Sequence, residues 1–210
     1  MRIDGSDWGD VIAPWTWPNH STSRGDLIYG NDGWDWLDAG DGNDTVHGGY
    51  GNDTIYGGNG TDRLSGSAGD DWVSGGGGRD TLNGGGGNDV LKGRSGADQL
   101  TGGFGSDFFV FDAKLGRSNV DTVTDFSSSK DQLILSNWVM TDLWVGNLPK
   151  GQFYAAAGAA GGHDENDRII YDTASGKLYY DADGDGSGAA VQFAVLSGAP
   201  RIYAHDFGIV

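Results

Sequence analysis

Cysteine is absent from the 210 residues. That excludes disulfides, thiolate metal sites and cysteine nucleophiles, and it leaves the redox compartment unread. Positive charge is scarce: 13 Lys and Arg stand against 30 Asp and Glu, a formal charge of −17. A nucleic-acid binder needs a basic face, and this chain has little material for one. No apolar run approaches the ~20 residues of a membrane helix, and the opening residues, MRIDGSDWGD, hold no apolar signal-peptide core. Core material is thin, since Leu, Ile, Val and Phe number 42 of 210, on the border where packed domains give way to disorder. Catalytic signatures are missing too. There is no G-x-S-x-G elbow or H-E-x-x-H helix, and the histidines at 20, 47, 163 and 205 are scattered. The expectation is a protein that is not an enzyme. What is abundant is glycine, at 40 of 210 positions, against an average of about 7 %.

The glycine is periodic. From Ser21 to Val110 the chain reads as ten units of nine residues: STSRGDLIY, GNDGWDWLD, AGDGNDTVH, GGYGNDTIY, GGNGTDRLS, GSAGDDWVS, GGGGRDTLN, GGGGNDVLK, GRSGADQLT and GGFGSDFFV. The sixth position is Asp in all ten: Asp26, Asp35, Asp44, Asp53, Asp62, Asp71, Asp80, Asp89, Asp98 and Asp107. The eighth is apolar in all ten (Ile28, Leu37, Val46, Ile55, Leu64, Val73, Leu82, Leu91, Leu100, Phe109). The fourth is glycine in all but the first, including Gly33, Gly42, Gly51, Gly60, Gly69, Gly78, Gly87 and Gly96. A period this short suits a glycine-rich turn followed by a strand of about three residues, with the eighth side chain pointing in and the seventh and ninth out. Two units make one coil turn, so the expected fold is all-β, a parallel β-roll of 18 residues per coil cored by two facing apolar columns.

Such a core cannot hold the array alone. Residues 21–110 contain only 15 Leu, Ile, Val or Phe against 14 Asp and 5 basic residues, a disordered composition. Stacking places the odd-unit aspartates along one edge and the even-unit aspartates along the other. At the ~4.8 Å layer spacing two carboxylates repel by about 0.9 kcal/mol even at an effective ε of about 80. Cations between layers relieve that repulsion. Calcium takes oxygen ligands in flexible geometry, the Asp supplies charge, and the glycine turn aims carbonyls. With no Cys and one His (His47) in the repeats, zinc and copper are poor fits. Four gaps per edge predict about eight calcium ions. The plainer reading, turn hydrogen bonding alone, does not require Asp at every unit, because Asn and Ser serve turns equally well.

These units resemble the repeats-in-toxin (RTX) family, whose nonapeptide is G-G-x-G-x-D-x-U-x. GGYGNDTIY and GGNGTDRLS match it fully; departures fall mainly on the first two glycines. The resemblance implies a parallel β-roll with calcium in the turns, held by Asp side chains and glycine-loop carbonyls. It also implies export by type I secretion machinery and an extracellular location. Asp121–Ser136 (DTVTDFSSSKDQLILS) is similar to the segment that follows such repeats. Asp167–Ala190 is similar to the C-terminal region of such secreted proteins, and Asp206–Val210 to the acidic-then-apolar end of type I secretion substrates, with Gly208 as a departure.

Three regions follow: residues 1–20, an N-terminal cap with one degenerate unit at 5–13; 21–110, the repeats; and 111–210, a β-rich capping and secretion-signal region. Five of the eight tryptophans lie at 8, 15, 17, 34 and 36, read as a lid over the first coil or as a sugar-binding platform. The even-unit seventh positions (Trp36, Thr54, Trp72, Val90, Phe108) form an apolar face expected to be covered by the C-terminal region or by a second copy. Strands are expected at 168–172 and 177–181 about a turn at Ser175–Gly176, and a helix near 153–160. Asp181, Asp183 and Asp185 open an EF-hand-like loop whose position 12 is Gln192 instead of Glu. A plain acidic turn is the favoured reading there, and a solvated loop at His163–Asp164–Glu165. Two alternatives stand beside a stand-alone secreted calcium-binding protein, which the Met1 start favours: an export and folding module of a larger secreted enzyme, or an adhesion or polysaccharide-binding protein.

Overall fold

The computed structural model describes residues 2–5, 8–12, 24–184 and 188–210. The chain winds as a parallel β-solenoid between two sheets. One stacks, in order, Arg2–Asp4, Leu27–Asp32, Thr45–Tyr50, Arg63–Ala68, Thr81–Gly86, Gln99–Phe104 and Asp121–Val123, then Val191–Leu196, Lys177–Tyr180, Ile169–Asp172 and Phe153–Ala156. The other stacks Val11–Ile12, Trp36–Asp38, Thr54–Gly60, Trp72–Gly78, Val90–Ser95, Phe108–Phe111, Gln132–Leu135, Phe207–Ile209 and Gly146–Asn147.

Register follows the 18-residue coil. Val46 lies beside Leu64 and Leu64 beside Leu82 in one sheet; Ile55 lies beside Val73 and Val73 beside Leu91 in the other. All ten eighth-position side chains are at most 2 % exposed, and each such burial contributes roughly 1.5–3 kcal/mol. Most strands are longer than the sequence suggests. Thr45–Tyr50 runs from the seventh position of one unit to the third of the next, because stacked coils of equal length keep their turns in register as well. Gly49 pairs with Ser67, and Gly58 with Gly76. The second position lies at positive φ: Gly49 at 125° and Gly58 at 101°, with Asn31, Ser67 and Arg94 held at 77°, 85° and 73° where the repeat departs from glycine.

The region after the repeats closes the far end of the coil. Val191–Leu196 pairs in parallel with Asp121–Val123, and Phe207–Ile209 with Gln132–Leu135. Phe111 meets Phe193 edge-on with ring centroids 5.2 Å apart, and Tyr171, Phe193 and Phe207 are buried. The expected hairpin is present as Ile169–Asp172 against Lys177–Tyr180. The expected helix near 153–160 is not: Phe153–Ala156 is a strand, drawn into parallel pairing with Ile169–Asp172. Nor does the C-terminal region cover the even face. It extends the two sheets end-on, and Trp72 and Phe108 stay 38 % and 37 % exposed. Partial shelter comes from within the face, where the Lys92 ammonium sits 4.6 Å from the Trp72 ring centroid and Trp36 leans on Tyr56. Trp8 and Trp34 are 80 % and 75 % exposed, which does not suit a lid; Trp15 and Trp17 lie outside the described residues.

Candidate metal centre

Each sixth-position aspartate closes a glycine turn and points back along its column. From Asp44 to Asp107 its Oδ1 accepts the backbone N–H of the aspartate one coil earlier: Asp26 to Asp44 at 2.7 Å, Asp53 to Asp71 at 2.8 Å, Asp89 to Asp107 at 3.0 Å. All ten are buried. The other oxygen is different. Among the described residues, Oδ2 of Asp35, Asp53, Asp71 and Asp89 in one column, and of Asp44, Asp62, Asp80 and Asp98 in the other, is buried without a hydrogen-bond partner. A carboxylate oxygen taken out of water and left unpaired is costly, and eight of them in two files are a repeated feature of the coil.

The first glycine of the unit shapes the space these oxygens face. A Cβ placed on Gly30, Gly48, Gly57, Gly66, Gly75, Gly84, Gly93 or Gly102 would fall 2.1–2.6 Å from the Oδ2 of the aspartate in the same unit. At Gly30, Gly48, Gly57, Gly66 and Gly75 the same point lies 2.4–2.9 Å from the carbonyl oxygen of the first glycine in the next coil. A carboxylate and a carbonyl oxygen thus converge between layers on a spot that only a missing side chain leaves open. The fourth-position glycines, Gly33 to Gly96, hold φ between 119° and 150°. Their carbonyls make a separate column, each against the α-carbon side of the glycine one coil on, as Gly33 O does at Gly51 and Gly42 O at Gly60.

Burial pushes the carboxyls of Asp44, Asp53, Asp62, Asp80, Asp89 and Asp98 up to about 6 and that of Asp71 to about 7, from an ordinary 3.8. The N–H bonds from the preceding rung pull the other way. Carboxylates on neighbouring rungs raise the values further for Asp44, Asp62 and Asp71. Files of desolvated oxygens with no nitrogen or sulfur donor among them match a hard cation, calcium before zinc.

The ladder outruns the repeats. Asp10 N–H donates to Asp35 Oδ1 at 2.6 Å, Asp98 N–H to Asp121 at 3.1 Å and Asp107 N–H to Asp131 at 3.1 Å. Asp121 and Asp131 are buried rungs that sequence periodicity missed, and burial raises Asp121 to about 8. Their signal is legible afterwards. GRSNVDTVT (116–124) and FSSSKDQLI (126–134) keep Asp sixth and an apolar residue eighth, displaced by the inserted 111–115 and by Asp125. A further ladder runs outside the first, where Asn43, Asn52, Asp70 and Asn88 at the fifth position each accept the N–H of the residue one coil on.

The C-terminal acidic turn is knit internally. Asp181 accepts N–H groups of Gly162 and Asp183, and Asp183 that of Gly188; Asp185 lies outside the described residues. His163–Asp164–Glu165 is an exposed loop, as expected, and Asp167 anchors it. Buried Asp167 takes His163 Nδ1 at 2.6 Å, and the imidazole stacks on Tyr154.

The repeat region is similar to a known family. The family model for the RTX calcium-binding nonapeptide repeat matches residues 22–46, 29–64, 38–73, 56–91 and 74–109. No match was found among curated proteins. Among solved structures, the solution structure of the AlgE6R3 subunit from the Azotobacter vinelandii mannuronan C5-epimerase is similar at 20 % identity, over 97 % of this chain and 79 % of that one, with a TM-score of 0.34.

Proposed function

Residues 22–109 are RTX calcium-binding nonapeptide repeats, and from that premise we propose that this chain is a secreted protein whose coil folds when it meets calcium outside the cell. The observation that carries the reading is the set of buried, partnerless Oδ2 atoms in two files. About eight calcium ions, four per edge, would be held by those oxygens together with turn carbonyls. Calcium supplies the positive charge that lets neighbouring rungs approach; the chain supplies the oxygens, the glycine gaps that leave room, and the N–H bonds that fix each carboxylate.

The linkage has a direction. Metal that binds only the folded chain stabilises it by mass action. At low calcium the ladder keeps its repulsion and its desolvation cost, and a chain of charge −17 stays extended and soluble, a state suited to threading through type I secretion machinery. Outside, sites of the ~10⁻⁴–10⁻³ M class fill and the coil closes. Phe207–Ile209 is a strand hydrogen-bonded into one sheet, with Phe207 and Ile209 buried, so an export signal in that stretch would be readable only before folding. Catalysis has no part in this role.

Far-ultraviolet circular dichroism in chelator and in millimolar calcium tests it, with calorimetry for the number of ions. The expected result is a coil-like spectrum converting to β on calcium addition, with about eight ions bound per chain. Equal β content in both conditions overturns it.

A further inference from the structure

A second feature lies away from the aspartate ladders. Residues 199–205 run across the C-terminal end with their side chains alternating. Ile202 and Ala204 are buried, while Arg201, Tyr203 and His205 face out. Both ends are pinned. Tyr171 Oη donates to Pro200 O at 2.7 Å, and Tyr203 N–H donates to the buried Asp206 carboxylate at 2.7 Å. The outward residues stack on one another, with the Arg201 guanidinium 5.2 Å from the Tyr203 ring centroid and the Tyr203 and His205 rings 5.2 Å apart and nearly parallel at 11°.

Beside this stack run two adjoining cavities of about 430 and 610 Å³ that share Phe153 and Tyr203. Lys150 and His205 line one, Arg201 and Tyr171 the other, and among the described residues no carboxylate lines either. In a chain with 30 acidic residues against 13 basic ones, a groove lined by two permanent cations and by no carboxylate, the buried Asp206 lying behind it, runs against the overall charge. Its floor is firm, since Phe153 packs on Phe207 at 5.6 Å.

From this juxtaposition we infer that the groove binds an acidic polysaccharide, taking consecutive carboxylate-bearing sugar rings. Tyr203 and Phe153 offer the flat apolar surfaces on which the C–H faces of sugar rings rest. Arg201 and Lys150 pair with carboxylates, Arg201 in the forked geometry a planar carboxylate accepts. A shared groove of this volume exceeds the needs of a single small anion. The sparse cations suit a carboxylated sugar chain better than the denser phosphates of nucleic acid.

The test uses the full chain in calcium, with circular dichroism reporting folding separately, so that failure to fold counts against the calcium reading and failure to bind counts against this one. Calorimetry with a galacturonic acid hexamer is compared with its methyl ester. The expected result is binding of the acid form, weakened at least tenfold in the ester, in Arg201→Ala with Lys150→Ala, and in Tyr203→Ala, and retained in Tyr203→Phe. Calcium bridging alone would leave the variants binding like wild type at equal free calcium, and that overturns the inference. So does absence of binding to the folded wild type, or displacement by a thymidylate hexamer or by anionic vesicles as readily as by free sugar hexamer.

Discussion

At the residue scale, the eight ladder aspartates from Asp35 to Asp98 divide their work between two oxygens. Oδ1 takes a backbone N–H from the neighbouring rung, while Oδ2 faces the gap beside the first glycine without a partner. The two roles respond differently to substitution. Asp71→Asn keeps an acceptor for the Asp53 N–H and removes the charge. In chelator it is expected to stabilise the coil by about 1–3 kcal/mol, the scale of a relieved unpaired buried group. In calcium it is expected to destabilise by a similar amount and to remove one bound ion. Urea unfolding in calcium, and the β content that circular dichroism detects in chelator, measure this; a shift of the same sign in both would show that Oδ2 faces no cation. The aspartates were legible in the sequence because their position never varies. Their division of labour was not, because a composition of side chains does not say which oxygen meets a backbone N–H. The outer fifth-position ladder escaped for a related reason: Asn43, Asn52, Asp70 and Asn88 share an acceptor oxygen, but Trp34, Thr61, Arg79 and Ala97 at the same position break the pattern.

At the scale of the element, the unit is a strand that includes much of its turn. Equal coil length lets glycine pair with glycine across layers, so the turn adds hydrogen bonds to the sheet where a hairpin loop would add none. Apolar contact per layer is small, one side chain from each sheet, and every layer depends on its neighbours. Leu82, fully buried between Leu64 and Leu100, is therefore expected to be costly to truncate. Leu82→Ala should lose about 2–5 kcal/mol in calcium-loaded protein by chemical denaturation, and a loss below 1 kcal/mol would mean that the metal ladder alone holds the coil. The rungs at Asp121 and Asp131 belong to this scale as well. Insertions of five residues and of one residue ahead of them broke the nine-residue count, yet pairing of Leu100 with Val123 and of Phe109 with Leu133 restored the column, since register in a sheet is set by what packs inside and not by spacing along the chain.

For the whole molecule, the raised carboxyls tie folding to pH as well as to calcium. Six of the ladder aspartates titrate near 6 and Asp71 near 7 in the folded chain, against 3.8 ordinarily. The folded state therefore holds protons that the unfolded chain releases. Without calcium, that stabilisation is complete below about pH 3.8 and is lost as pH rises through about 6 to 7. Acidification in chelator is expected to raise β content, while in calcium the same acidification is expected to drive metal off the ladder. Parallel pH titrations followed by circular dichroism check the pair, and a single midpoint common to both would contradict it. The sequence by itself determined the coil, because an apolar residue and an aspartate recurring every nine positions leave one way to bury the first and stack the second. Only the tertiary structure decided where the ladder ends, which carboxylate oxygens go unpaired, that the C-terminal strands extend the coil instead of covering its apolar face, and that Lys150, Phe153, Arg201 and Tyr203 share a groove. Those outcomes depend on pairing between segments far apart in the chain, and no local period records such pairing.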